Sequence, residues 1–375
     1  MAALPSKSIV RFRCLSRSWQ AFLTSPFFIN QTKTKSQRLI VSSGETFGVI
    51  KHEANKEIEC KELEFPLKSP KQNKYYMLGC CNGLLLLVEP RECLILWNPS
   101  TRECQQLHVH PRLSNDALGN YGFGYDQSTD DFKVIIFDYF LNSHIEVEGC
   151  LLIYSLKSNT WKRICGIPQL LIDQSKSGIL VDEFLYWSTI SSGLGKWVLG
   201  FNLKSDKFEK IRPPNDIAEQ YHSFLGLGLI GGCLSLGQNH NHNHGLIIDI
   251  WKLVKDGQSW IKIMSIMNLE GLANPNCWVP YCILNNGEVL LSYLDTKTFL
   301  YGEDSRTLRL KIQLYDPVNG KLRAGILRDY RQAITYDVQS LVSPKVMCSI
   351  ESSSTVQIET LGFTELYGKH WSESF

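Results

Sequence analysis

The sequence predicts an all-β protein, a β-propeller of about six blades that follows a short α-helical segment at the N-terminus. Three observations predict this fold class. Short β-type runs separated by turn residues extend from about Arg38 onward, a strand–turn–strand unit recurs within them, and helical spacing is confined to the first residues. The expected units are residues 1–37, residues 38–344 and a C-terminal segment, 345–375, with no assigned role.

The N-terminal segment has the pattern of two short helices. Ser6 can cap the first, whose apolar side carries Ile9, Val10 and Phe12. The second helix is indicated by apolar residues at helical spacing, which are Leu15, Trp19, Phe22 and Leu23. It ends at the pair Ser25 and Pro26. Two such helices cannot build a core alone, so we expect them to pack on another element or partner.

The same segment is basic. Residues 1–38 contain seven Lys or Arg side chains and no acidic one, which leaves 32 basic and 37 acidic side chains in the rest of the chain. A basic segment of this kind suits nucleic acid, an anionic membrane or an acidic protein partner, and a solvated helix face is the alternative.

A repeated unit organises the β region. An apolar strand, a polar turn and a strand that opens with a basic or aromatic residue recur around Trp97, Tyr154, Phe201 and Tyr315, with a looser copy at Trp251. These markers are separated by about 50 to 60 residues, which is typical of four-stranded, kelch-like blades, whereas a β-sandwich would alternate without this repeat. We therefore predict a kelch-like β-propeller in which the markers occupy equivalent buried positions.

One string matches a dinucleotide-binding fingerprint. It is Gly226-Leu227-Gly228-Leu229-Ile230-Gly231, and Asp249 follows at a suitable distance. That fingerprint requires a helix directly after the glycines, but residues 232–244 are rich in Gly, Asn and His and lack a helical period. We therefore expect a glycine-rich blade strand.

A histidine cluster is the strongest metal candidate. His240, His242 and His244 alternate with asparagines, so an extended chain would place three imidazoles on one face. No carboxylate ligand is evident before Asp249, and a solvated loop has the same composition. We expect a loop and no metal.

Other function classes are not indicated. The 12 cysteines lack the paired spacing of zinc sites, and no catalytic, nucleic-acid-binding, signal-peptide or membrane-spanning pattern occurs. The sequence therefore predicts a non-enzymatic protein without cofactor, metal, nucleic acid or membrane, located in the cytoplasm and/or nucleus.

Several short motifs, taken in order, resemble plant F-box proteins with an F-box-associated, kelch-like domain, a group that includes the S-locus F-box proteins of pollen. Residues 4–19 and 25–29 are similar to the second half of that family's F-box. Further matches run to about residue 344: Cys81-Asn82-Gly83-Leu84-Leu85, Trp97-Asn98-Pro99-Ser100-Thr101, Tyr121-Gly122-Phe123-Gly124-Tyr125-Asp126, Asp130-Asp131-Phe132-Lys133-Val134, Tyr154-Ser155-Leu156, Gly231-Gly232-Cys233-Leu234, Asn286-Gly287-Glu288-Val289-Leu290 and Ser340-Leu341-Val342-Ser343-Pro344.

The resemblance implies a non-catalytic, substrate-recognition subunit of an SCF-type cullin ubiquitin ligase. The F-box would dock on a Skp-family adaptor that binds the cullin scaffold, and the β domain would hold an unknown target protein for ubiquitination. The residues that the resemblance assigns to adaptor binding are Leu4, Pro5, Ile9, Phe12, Cys14, Leu15 and Trp19.

The N-terminus departs from the family pattern. Family members carry another Leu-Pro pair and an acidic first helix ahead of the segment seen here, so we expect an N-terminally truncated F-box with weakened adaptor binding. Two alternatives stay open: a propeller that binds proteins without joining a ligase, and a metal-dependent propeller enzyme that uses the histidine cluster.

Overall fold

The fold was analysed in a computed structural model of the chain. The residues that it describes are 15–16, 18–19, 37–51, 58–67, 75–89, 93–107, 120–141, 147–167, 171–172, 177–191, 195–214, 225–242, 245–254, 257–267, 276–284, 286–295, 309–330, 332–337, 343–344 and 355–358.

These residues form a six-bladed β-propeller, which confirms the predicted fold class. The first strands of the chain belong to blade 6 and are β1 (Gln37–Ser42), β2 (Phe47–Lys51) and β3 (Glu59–Leu63). Blade 1 follows with β4 (Tyr76–Cys81), β5 (Leu84–Glu89), β6 (Cys93–Asn98) and β7 (Glu103–Leu107). Blade 2 contains β8 (Asn120–Asp126), β9 (Asp131–Leu141), β10 (Val147–Ser155) and β11 (Thr160–Ile167).

The next three blades repeat the same up-and-down order. Blade 3 contains β12 (Leu171–Ile172) and β13 (Ile179–Val181), two pieces of its first strand, then β14 (Phe184–Ser191), β15 (Gly195–Asn202) and β16 (Lys207–Ile211). Blade 4 contains β17 (Leu225–Ile230), β18 (Cys233–His242), β19 (Gly245–Leu253) and β20 (Trp260–Ile266). Blade 5 contains β21 (Asn276–Ile283), β22 (Val289–Asp295), β23 (Arg309–Asp316) and β24 (Lys321–Tyr330).

The propeller is closed by strands from both ends of the chain. The strand β25 (Gln332–Asp337) pairs antiparallel with β1, so that Gln37 lies opposite Asp337 and Ser42 opposite Gln332. β25 thereby becomes the first strand of blade 6. A last strand, β26 (Thr355–Ile358), adds to the outer edge of blade 2.

The core consists of six apolar layers, one between each pair of neighbouring blades. Both faces of a blade are therefore covered, and a strand near the axis can be apolar throughout. All six residues of β5 are buried, for example. This explains why such strands read as continuous apolar runs rather than as alternating ones.

Four of the five aromatic markers lie in equivalent buried places, as predicted. Trp97, Tyr154, Phe201 and Tyr315 are each the next-to-last residue of the third strand of a blade, and their exposed fractions are 0, 2, 0 and 5%. Each packs in the layer shared with the preceding blade. Trp251 also lies in a third strand and faces the preceding blade, but it is only half-buried.

Glycine allows the first strands of neighbouring blades to approach closely near the axis. A Cβ atom at Gly228 would lie 2.0 Å from the carbonyl oxygen of Pro280 on blade 5. One at Gly79 would lie 2.7 Å from the Cβ of Phe123 on blade 2. Any larger residue at these positions would push two blades apart.

The structure agrees with the prediction for the glycine-rich string and differs from it at the histidine cluster. The string 226–231 occupies β17 and the start of the Gly231-Gly232 turn, as expected for a blade strand. The prediction that the histidine cluster lies in a loop was wrong for His240 and His242. Both belong to β18, where they lie opposite Ile247 and Gly245, because the β18–β19 ladder continues almost to the hairpin end. His244 lies outside the described residues.

Candidate interaction surfaces

The strand order gives the propeller two faces of different character. At one face, called the turn face, short turns join the first strand of a blade to the second and the third strand to the fourth. These turns include residues 82–83, 99–102, 127–130, 156–159 and 203–206. At the opposite face, here the loop face, blades are joined to one another. Its longest connections are 64–75, 108–119, 212–224, 267–275 and 296–308.

Polar side chains build the turn face. The Oδ1 atom of Asn98, directly after Trp97, accepts hydrogen bonds from the backbone N–H groups of Ser100 (2.8 Å) and Thr101 (3.3 Å). Asn202 and Asp316 hold the equivalent turns in the same way. The backbone φ is positive four residues after each of these positions, at Arg102 (64°), Asp206 (53°) and Gly320 (62°), and also four residues after Ser155, at Asn159 (54°). The repeated sequence unit is therefore a repeated hairpin turn.

An ionic cluster joins blades 2 and 3 on the turn face. Lys133 Nζ lies 3.1 Å from Asp126 Oδ2 and 3.1 Å from Asp206 Oδ1, and Lys162 Nζ lies 3.3 Å from Asp206 Oδ2. Lys133 also donates to the carbonyl oxygen of Leu203. The side chains of Asp126 and Lys133 are 0 and 12% exposed, so the cluster is a fixed contact between blades rather than a solvated pair.

The environment of Asp126 favours its charged form. Burial would raise the pKa of this carboxyl, but hydrogen bonds from Ser128, Lys133 and Thr129 outweigh burial and lower the pKa to about 2. Asp131, the first residue of β9 in the same hairpin, behaves in the opposite way. Burial raises the pKa of Asp131, although Ser155 and the backbone N–H of Lys157 donate to its carboxylate.

Sequence reasoning missed this cluster. Asp126 and Lys133 lie in motifs that carried the family resemblance, but no pattern in a single sequence indicated that Asp206, in the next blade, would meet them. The recurring turn positions were the available signal, because Asp206 has the same place in its turn as Asn159 and Arg102.

The N-terminal segment enters at the turn face, because β1 begins there at Gln37, opposite the end of β25. Of the seven residues predicted to bind the adaptor, the structure describes two. Leu15 is 65% exposed and Trp19 is half-buried and helical, and Ser16 Oγ accepts a hydrogen bond from the backbone N–H of Trp19 at 3.2 Å. Leu4, Pro5, Ile9, Phe12 and Cys14 lie outside the described residues, so their role stays a prediction.

The described part of the chain contains no group of side chains suited to a metal ion. Among those residues no three His, Cys, Asp or Glu side chains are grouped so that they could hold a metal ion. None of the helical residues in the same part belongs to a helix long and apolar enough to cross a membrane.

Comparison with known families decides where the chain belongs. The sequence model of the F-box associated beta propeller domain matches residues 9–344. The chain is a member of this family. The match covers every strand of the F-box-associated propeller from β1 to β25 and begins inside the basic N-terminal segment.

Curated relatives of this F-box-associated propeller are plant F-box proteins. An F-box/kelch-repeat protein of Arabidopsis thaliana is 26% identical over 296 residues, which is 74% of this chain and 79% of that protein. The F-box protein CPR1 of the same plant is 26% identical over 351 residues, 82% of each chain. The resemblance stated from the sequence is thereby confirmed.

Solved structures show a more distant likeness. TolB from Acinetobacter baumannii is 10% identical, with a TM-score of 0.43, over 80% of this chain and 66% of the TolB chain. TolB from Agrobacterium tumefaciens gives a TM-score of 0.40 over 80% of this chain and 96% of that chain. Likeness at this level has no bearing on the function of the F-box-associated propeller.

Proposed function

We propose that the protein is the non-catalytic, substrate-recognition subunit of an SCF-type cullin ubiquitin ligase. Its N-terminal segment binds a Skp-family adaptor, which attaches it to the cullin scaffold, and its propeller holds a target protein for ubiquitination. The observation that carries this proposal is the family match, which begins inside the predicted F-box segment and runs through the closing strand β25. A cytoplasmic or nuclear location follows from this role.

The arrangement of the two faces supports adaptor binding near one face and target binding at the other. The strand β1, which follows the proposed adaptor-binding segment, begins at the turn face, where hydrogen bonds and ion pairs hold the turns. The strand ends that the longer connections join lie at the loop face, on the other side of the molecule. Because binding residues are concentrated in loops on a rigid scaffold, the loop face is the proposed target-binding surface.

Adaptor binding is the direct test of ligase assembly. The chain as given and a version preceded by the first F-box helix of a relative would each be titrated with the adaptor by calorimetry. We expect firm binding of the version with the added helix and weaker binding of residues 1–375 alone, because a further helix adds contact area toward the roughly 1,200–2,000 Å² that stable complexes bury.

Two variants of the extended chain locate the contact. Trp19→Ala should weaken binding at least tenfold, since buried aromatic anchors dominate such interfaces. Lys157→Ala, on the exposed part of the turn face, serves as the control and should bind normally. Failure of the extended chain to bind would leave the protein a binding module outside the ligase, and equal binding of both versions would make the first helix dispensable.

A further inference from the structure

Blade 2 contains one strand more than a propeller blade requires. Four antiparallel strands complete it, and β26 then pairs with the outer edge of β11 in parallel. The register joins Thr160 to Thr355, Trp161 to Val356, Lys162 to Gln357 and Arg163 to Ile358. Every other strand pair within the six described sheets is antiparallel.

The extra strand is not part of the family's domain. The family match ends at residue 344, after β25 has closed blade 6, whereas β26 begins at Thr355. Ser343 and Pro344 are buried at the end of that match. A complete propeller therefore precedes β26, and the strand occupies the blade 2 edge as an addition.

The β11 edge has the properties of a peptide-docking site. Trp161 and Ile164 are buried at 2 and 0% exposure and fix the strand in the core, while Lys162 and Arg163 are half-buried. An outer strand presents backbone N–H and C=O groups to an added chain, and main-chain hydrogen bonds then supply the affinity. The described residues of β3, β7, β16, β20 and β24 carry no such fifth strand.

We propose that the outer edge of β11 is a docking site for an extended peptide and that β26 is its intramolecular occupant, which an extended segment of a partner protein replaces. The occupant defines the chemistry that fits. Its sequence, Thr355-Val356-Gln357-Ile358, is uncharged and mostly β-branched, and Glu359 follows it. The partner segment should therefore be β-branched and uncharged, like the strand that it replaces.

The tether makes β26 an autoinhibitory occupant. Ten residues separate Pro344 from Thr355, and a short linker gives an attached segment an effective concentration of the order of millimolar. A free peptide must compete with that concentration. The site and its self-occupancy do not depend on the proposed ligase function; only the partner's identity as a ligase target rests on it.

The test uses peptide binding to two forms of the protein. A fluorescent peptide of residues 350–362 would be titrated against the full chain and against a chain ending at Pro344, with a thermal melt to show that both are folded. We expect at least tenfold tighter binding to the shortened chain. The same peptide with Val356→Pro should not bind, because proline removes a backbone donor, and a scrambled peptide is the matched control.

A second variant covers the case in which the shortened chain does not fold. Full-length protein with Val356→Pro keeps the chain length and should gain peptide binding while remaining folded. Equal binding of the peptide to the occupied and unoccupied forms, or binding that survives the proline, would overturn the proposal. Unfolding of both variants would also overturn it, since β26 would then be an integral strand. Adaptor titration of the same variants is expected to be unchanged, which separates this result from a failure of the ligase proposal.

Discussion

Single residues hold the blades in register, and the clearest case is Asp126. Its carboxylate accepts hydrogen bonds from its own turn and contacts Lys133, which reaches Asp206 on the next blade. The pKa of about 2 lies below the ordinary value of 3.8, so the charged form contributes stability. That contribution is present above pH 4 and is lost as the pH falls from about 4 to 2.

Asp126→Asn should therefore destabilise the protein mainly near neutral pH. We expect a loss of about 2 kcal/mol at pH 7, in the range for hydrogen bonds to charged groups, and a smaller loss at pH 3. Urea unfolding at both pH values measures the difference. The exposed Asp182→Asn is the control, because asparagine tolerates the positive φ of that position. A loss that is the same at both pH values would contradict the assigned pKa.

The aromatic markers give a second prediction at this scale. Phe201 is fully buried in the layer between blades 2 and 3, so Phe201→Ala should cost about 3–5 kcal/mol and lower the melting temperature. Val318→Ala is the control, because Val318 is 84% exposed and its loss should change little. A cost below about 1 kcal/mol for Phe201→Ala would mean that the marker does not support the layer.

At the scale of strands, the sequence predicted what is local and missed what is distant. The third and fourth strands of blades 1 to 5 were visible because an aromatic marker, a polar turn and the next strand lie together in the sequence. The pairing of β1 with β25 was not predicted, because β25 lies almost 300 residues away and nothing in either strand marks the pairing. Among the candidate site residues the structure describes Leu15 and Trp19, so the predicted N-terminal helices stay a prediction, and the ionic cluster required knowledge of neighbouring blades.

The doublet Cys80-Cys81 illustrates a limit of alternation. Alternation places the two side chains on opposite faces, which in many sheets means one inside and one in solvent. Here Cys81 packs between blades 1 and 2, and Cys80 packs at the layer between blades 6 and 1. Period-two patterning therefore cannot distinguish inside from outside in a propeller.

The closing strand yields a prediction at the same scale. Gln332 accepts a hydrogen bond from Met77 N at 2.6 Å and donates to Met77 O at 3.1 Å, so its side chain links the first strands of blades 6 and 1. Gln332→Ala should cost about 1–3 kcal/mol, because both backbone groups lose this partner. Thermal unfolding against the exposed Gln106→Ala measures it. Equal melting temperatures would show that the link does not stabilise closure.

For the whole molecule, closure by both chain ends has a functional consequence. β1 begins and β25 ends at the turn face, so the N-terminal segment joins the propeller there, and under the proposed function an adaptor bound to that segment would leave the loop face accessible. This separation is the central claim of the account, because a receptor must hold its adaptor and its target at the same time.

Cross-linking tests that claim most directly. The extended chain in complex with the adaptor would be treated with a lysine-reactive cross-linker, and the linked peptides identified by mass spectrometry. Exposed turn-face lysines are Lys157, Lys204 and Lys321, and the loop-face connection 64–75 contains Lys68, Lys71 and Lys74. We expect adaptor cross-links to the turn-face lysines and few to the lysines of the connection 64–75. Adaptor cross-links concentrated on Lys68, Lys71 and Lys74 would contradict it.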